Sequence, residues 1–313
     1  RKGQPFVLFS VSDGYGKYEC RKWMTHGNEV EHLLGHVVYA RVYCGDYNGR
    51  PSYVINDIVQ DVDDSAIDEL MLEPPMKSDD MYEWIMSQLD EMSRDDGNVD
   101  GSGYVASIAK RIYEDNKSAL MTWGAAHGVH HAFNGGLMYH SYRMCKDALA
   151  LTDVYDGTLD KELLFCGAAL HDIGKIGELD TNEFGASEYT LGGSMLGHSL
   201  MGIEIIEQAI ADMMADGSIA DDDNDIRAAE RQERLLVLKH MIASHHGKQE
   251  YGAITKPCVA EAMALHIIDL LDSRMEIFEE EMVNVQPGER TQSGNYALDN
   301  VHVYRPTWAK VRE

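Results

Sequence analysis

The chain is poor in cysteine, in proline and above all in positive charge. Its 313 residues hold five Cys, seven Pro and 27 Lys and Arg against 53 Asp and Glu, a formal charge of −26. Cys20, Cys44, Cys145, Cys166 and Cys258 are odd in number and nowhere spaced as CxxC. That argues against a disulfide framework or a thiolate zinc site and for a reducing cytoplasm. No window approaches the roughly 18 uninterrupted apolar residues of a spanning helix, so no membrane partner is expected. Arg1-Lys2-Gly3-Gln4-Pro5 leads only into a short β-like run, so no secretory signal is read there, and the missing initiator Met suggests numbering that begins inside a longer gene product. Hydrophobic residues still make up 44%, too many for a disordered chain, and the length suits two domains or one large one.

A shortage of cations weighs against nucleic acid as a partner, because polyphosphate binding rests on Lys and Arg. Divided along the chain, the charge says otherwise. Residues 1–60 carry seven Lys/Arg and six Asp/Glu, a balance of +1, and the remainder carries −27. Two compositions predict two modules.

The first module reads as β. Phe6 to Val11 is a short apolar run, Asp13-Gly14-Tyr15-Gly16 a turn signal, and Lys17 to Met24 a second strand. His36 to Cys44 alternates, with Val38, Ala40, Val42 and Cys44 on one side and Val37, Tyr39, Arg41 and Tyr43 on the other. Asp46-Tyr47-Asn48-Gly49 reads as a second turn before a strand from Tyr53 to Val59. Short strands at this density predict a small OB-like barrel over residues 1–60, a fold that commonly binds single strands. Residues 61–102 read as an acidic linker carrying one helix, in which Met81, Ile85, Leu89 and Met92 recur after a cap at Ser78 or Asp79. From 103 to 285 the periodicity is helical, broken by glycines at 135–136, 174–177 and 192–193, and 286–313 is a C-terminal extension. Asp221 to Asp225 reads as a solvated loop. The fold class is therefore multidomain α+β, a small OB-like β-barrel followed by an all-α domain.

Chemistry concentrates in the helical part. Ten of the fourteen histidines lie between His127 and His266. His171-Asp172-Ile173-Gly174-Lys175 follows the apolar helical run Leu163 to Leu170. An imidazole beside a carboxylate at the end of a buried helix offers mixed donors to a divalent cation. Adjacent helical positions diverge by about 100°, so the pair shares an ion only if the helix ends there, which Gly174 permits. Lys175 returns to the His171 side, where an ammonium can hold a phosphate oxygen. An ordinary core His–Asp pair is the alternative. His140 follows Gly135-Gly136 by one turn, His198 sits in the small-residue helix start Gly193 to His198, His245-His246 ends the segment Leu235 to Ser244, and Asp269 lies in an apolar helix where a free carboxylate is costly. Each alone is more often structural; together they supply ligands for one ion or two.

The ordered set His140, His171-Asp172, Asp269 resembles the HD phosphohydrolase superfamily. The segments His130 to His140, His171 to Lys175, Leu196 to His198, Ser244 to Gly252 and His266 to Met275 resemble the bacterial YhaM-type 3′-to-5′ exoribonucleases, which also carry an OB-type domain and a helical linker. The resemblance implies an all-helical HD domain with one ion on His140, His171, Asp172 and Asp269, and a second on His198 and His245, with His246 a further candidate and Asp172 shared. Asp272 is the rival to Asp269. Asp172 and Lys175 would be the catalytic residues. Manganese is the first expectation, with Fe, Co, Ni, Zn and Mg as alternatives. The implied partner is single-stranded RNA or DNA, and the resemblance also implies self-association. A strand would be held by Lys22, Arg41, Arg50, Tyr39, Tyr43 and Tyr47, which pair cations with stacking aromatics, Trp23 being better suited to a barrel core. His130, His131, Lys248 and Arg274 would line the channel. The reading is a divalent-metal-dependent 3′-to-5′ exonuclease releasing nucleoside monophosphates. Its alternatives are an HD phosphohydrolase of nucleotides or cyclic dinucleotides, and a non-catalytic single-strand-binding protein.

Overall fold

The structure is a computed structural model that describes residues 3–14, 17–33, 36–47, 50–59, 70, 74–94, 103–123, 135–181, 187–219, 225–283 and 285–311. The turn positions 15–16 and 48–49, most of the acidic stretch 60–73, His130, His131 and Asp221 to Asn224 lie outside the described residues. The chain divides into two compact units, residues 1–72 with 274–313, and residues 73–273.

In the first unit, strands β1 (Phe6–Ser12), β2 (Lys17–Trp23), β3 (Tyr39–Tyr47) and β4 (Arg50–Val59) form one mixed sheet in the order β1-β2-β4-β3. This is the small OB-like β-domain read from the sequence. Two antiparallel hairpins, β1·β2 and β3·β4, meet through a parallel β2·β4 contact at Cys20↔Tyr53 and Arg21↔Val54. Cys20 and Ile55 are the buried points of that seam. The strands β3 and β4 run further than the alternation suggested. Tyr47 pairs with Arg50, so Asp46 and Tyr47 belong to the ladder rather than to a four-residue turn. β3 is an edge strand, and Tyr39, Tyr43 and Tyr47 are all exposed on it. A small apolar cluster of Ile277, Leu298 and Val303, backed by Phe278 and Met282, belongs to the C-terminal part of this unit.

The second unit is helical: α1 (Ser78–Ser93), α2 (Tyr104–Asp115), α3 (Lys117–Thr122), α4 (Gly136–Val154), α5 (Lys161–Leu170), α6 (Lys175–Glu178), α7 (Leu191–Leu196), α8 (His198–Asp216), α9 (Asp225–Ser244) and α10 (Ala260–Val283). The helix α10 continues past Ser273 into the first unit. One core cluster takes residues from α1 to α5 and from α8 to α10. Met81, Ile85 and Leu89 recur every four residues along α1 and are fully buried, so the helix inside the acidic stretch contributes a face to this core. α5 is buried along nearly its whole length. Asp160 caps it by accepting the Leu163 N–H at 2.8 Å. Arg234 of α9 ties that cap down through ion pairs to Asp160 (2.9 Å) and Glu162 (2.7 Å), and Glu162 also accepts the Ala106 N–H of α2 at 2.9 Å.

Among the described residues the helical run is interrupted by a two-stranded ribbon, β5 (Leu179–Thr181) and β6 (Ser187–Tyr189). Strands of three residues are too short to leave a period in the sequence. Where α8 crosses the turn after α5 the backbones nearly touch. A Cβ on Gly174 would fall inside contact distance of the His198 carbonyl, and Gly202 faces Gly174 from α8. Gly174→Ala is therefore expected to cost about 2–3 kcal/mol by overpacking and to lower the melting temperature by roughly 5–10 °C in a thermal scan. An unchanged melting temperature would mean that this crossing is looser than described.

Candidate metal centre

Four helices bring the histidines together. α4 carries His140, which is buried. α5 stops at Leu170, so His171 and Asp172 fall in the turn that follows, and the two can face one point despite being adjacent. α9 ends at Ser244 and delivers His245 and His246 from its terminus. His198 is the first residue of α8, not the tail of the small-residue helix before it: α7 ends at Leu196, and Gly197 at φ +74° turns the chain into a new helix. Only glycine takes that angle without cost. α10 supplies Asp269 and, one turn on, Asp272.

The side chains form two groups. Ligand atoms of His140, His171 and Asp269 lie within 4.8 Å of one another, and so do those of His198, His245 and His246. In the first, His140 Nε2 is 3.0 Å from His171 Nε2 and 3.5 Å from Asp269 Oδ1. In the second, His198 Nε2 is 3.0 Å from His246 Nε2 and 3.4 Å from His245 Nε2. Asp172 lies between them. Its Oδ2 is 3.3 Å from His171 Nε2 and 3.6 Å from His140 Nε2, and its Oδ1 is 3.4 Å from His198 Nε2 and 3.9 Å from His245 Nε2. Lys175 donates to Oδ2 at 2.6 Å.

The far ring nitrogens decide what the near ones offer. His171 Nδ1 donates to Ala168 O (2.9 Å) and His245 Nδ1 to Ile242 O (2.7 Å). A carbonyl only accepts, so Nδ1 carries a hydrogen on that side and Nε2 is the nitrogen turned to the cluster. His140 Nδ1 points at Asp272 Oδ2 (2.7 Å) and His198 Nδ1 at Glu178 (3.1 Å). Imidazole nitrogens aimed at each other across 3.0 Å share either a proton or a cation, and this donor set fits a divalent cation.

The charge states agree. Burial works to raise the Asp172 carboxyl, but the Lys175 ammonium and His171 outweigh it and hold Asp172 well below the usual carboxylate range. Asp269 is likewise held low against burial by its hydrogen bond from His140. Burial keeps His245 neutral, helped by His246 and His171, and burial with His198 brings His246 down to about 4. His140 goes the other way. Burial opposes its charge, yet Asp269 and Asp272 push it up to about 10.

Asp272 thus backs His140 from behind and takes an ion pair from Arg143, whereas Asp269 faces the cluster. Glu178 and Arg143 carried no sequence signal of their own; a lone acid seven residues after His171 is all that marks the first. The residues expected to touch nucleic acid are more scattered. Tyr39, Arg41, Tyr43 and Tyr47 are exposed and share one side of β3 by alternation, and Arg50 pairs with Tyr47 across the hairpin. Lys22 donates to Asn56 O at 3.4 Å, and Trp23 lies against Phe6 with ring centroids 5.0 Å apart. Lys248 is exposed beside Glu250 (3.4 Å) and the Tyr251 ring. Arg274 pairs with Asp299 at 3.1 Å.

Residues 137–274 match the family model described as HD domain. With His140, His171-Asp172 and Asp269 in that order on a helical scaffold, the match makes the protein a hydrolase of the HD class. The whole chain goes further. It is 30% identical over 98% of its length to the 3′-5′ exoribonuclease YhaM of Bacillus subtilis (strain 168), covering 90% of that protein. It is 31% identical over 98% of its length to the YhaM of Oceanobacillus iheyensis, covering 89%, and 28% identical to that of Halalkalibacterium halodurans, covering 88%. The chain belongs to the YhaM 3′-5′ exoribonuclease family. No solved structure matches it.

Proposed function

We propose that the protein is a divalent-metal-dependent 3′-to-5′ exonuclease that hydrolyses phosphodiester bonds of single-stranded RNA, with single-stranded DNA as a second substrate, and releases nucleoside monophosphates. The observation that carries this reading is Asp172, one oxygen turned to each of two imidazole groups. The polymer and the direction of attack come from the names of its relatives. His140, His171 and Asp269 would hold one ion, His198, His245 and His246 the other, and Asp172 both. Two such ions, manganese on our reading, supply Lewis acidity that polarises phosphoryl oxygens and makes a water more acidic.

The protein's own side chains do the rest. Lys175 fixes the orientation of Asp172 and keeps it ionised, and its ammonium, partly open to solvent, can offset charge gathering on the phosphoryl group. The four carbonyl and carboxylate acceptors behind the rings keep the Nε2 atoms of His140, His171, His198 and His245 aimed inward. The tyrosines and Arg41 of β3 hold the strand by stacking, and the acids elsewhere in the chain repel a strand that leaves this route. The same reading places the protein in a reducing cytoplasm, in keeping with five cysteines that are all free. Among the described residues no helix is long and apolar enough to cross a membrane.

The test is a paired digestion with Mn²⁺, using oligoribonucleotides with free and with blocked 3′ ends. Shortening of the free set alone, one nucleotide at a time, is the expected result. Internal fragments from the blocked set would overturn the reading.

A further inference from the structure

Each imidazole group has one ring held by a backbone carbonyl and one held by a carboxylate of its own. In the first, His171 is held by the Ala168 carbonyl of the helix that precedes it, and His140 by Asp272, a carboxylate buried together with it. In the second, His245 is held by the Ile242 carbonyl three residues before it, and His198 has Glu178. His198 stands at the first position of α8, where no preceding turn satisfies the backbone N–H. Glu178 Oε1 accepts that N–H at 3.0 Å and also faces His198 Nδ1 at 3.1 Å, and Oε2 reaches the same Nδ1 at 3.1 Å. One carboxylate thus fixes both the main chain and the ring of His198.

Glu178 is itself held in place. Its carbonyl accepts the Thr190 N–H at 2.9 Å, Thr190 Oγ1 donates to the neighbouring Gly177 carbonyl at 2.8 Å, and a Cβ on Gly193 would strike the Glu178 backbone. The close seat of α7 against the end of α6 therefore sets where the carboxylate lies. Both members of the pair are buried enough that water competes weakly for the bond, with side chains 15% and 11% exposed.

We propose that Glu178 is a positioning residue for one cation subsite only, the one formed by His198, His245 and His246, and that it sets how tightly that subsite holds its ion. The inference rests on the two-ion reading above and adds to it a separate orienting carboxylate for each site. The His140 group keeps its own orienting carboxylate, Asp272, and does not depend on Glu178. Partners of this kind behind a ligating imidazole typically contribute about 10–100-fold to metal affinity.

The experiment is a calorimetric titration of Mn²⁺ into the chelator-stripped full chain, with the metal content measured after desalting, for the unmodified protein, Glu178→Ala and Glu178→Gln. The unmodified protein is expected to take two ions. Glu178→Ala should keep one with unchanged affinity and bind the second about 10–100-fold more weakly. Glu178→Gln, which keeps an acceptor oxygen but loses the charge, should fall between. Metal-free melting curves show whether each variant is folded. If Glu178→Ala melts early, Glu178→Gln decides, because it preserves the shape, and an unchanged second affinity in it overturns the proposal. Two ions held equally well by the unmodified protein and both variants overturn it, and so does equal weakening of both ions. An unmodified protein that binds no manganese sinks the two-ion reading itself and this inference with it.

Discussion

Asp172→Asn is expected to abolish hydrolysis, with kcat falling about a thousandfold or more, the equivalent of roughly 4 kcal/mol of transition-state stabilisation. The substitution keeps the size of the side chain, so packing around it is preserved. What disappears is the charge that faces both imidazole groups and takes the Lys175 ammonium. Oligonucleotide binding should persist, because the tyrosines of β3 are untouched. A steady-state assay on a short oligoribonucleotide, run beside a binding measurement on the same variant, separates the two. Full activity in Asp172→Asn would mean that the shared carboxylate has no part in the chemistry.

Replacing Tyr39, Tyr43 and Tyr47 together by alanine is expected to do the opposite. Loss of three stacked bases at roughly 1 kcal/mol each predicts about a hundredfold weaker binding of a long single strand. Hydrolysis of a small chromogenic phosphodiester, which needs no strand holder, should be unchanged. The three side chains are 71%, 64% and 66% exposed on an edge strand, so removing them opens no cavity and should leave stability nearly intact. Equal losses on both substrates would assign these tyrosines a structural role instead.

Much of this site was legible because its residues are of rare type and His171, Asp172, His198, His245 and His246 sit at helix ends. The order His140, His171-Asp172, Asp269 needed only the sequence, but the helix ending that lets two neighbours face one point falls at Leu170, and Gly174, at an ordinary helical φ of −65°, serves the close approach of α8 instead. The choice of Asp269 over Asp272 came from resemblance alone. Geometry adds the reason: the two lie on one helix, but Asp269 reaches His140 Nε2 at 3.5 Å while Asp272 takes Nδ1 from behind. The roles of Glu178 and Asp272 were not legible, since their contacts join positions 20 and 132 residues apart and an orienting acid looks like any other acid until its partner is placed. The start of α8 at His198 was missed for a local reason. Gly193 to His198 read as one small-residue helix start, and the positive φ at Gly197 shows that two helices meet there. The ribbon β5–β6 left no trace at all, because three-residue strands have no period to detect.

A crystal of the full chain soaked in Mn²⁺ and measured at the manganese edge tests the central claim most directly. Two anomalous peaks are expected roughly 3.5–4 Å apart, one among His140, His171 and Asp269, the other among His198, His245 and His246, with an Asp172 oxygen on each. Manganese peaks elsewhere on the molecule, or none among these side chains, would contradict it.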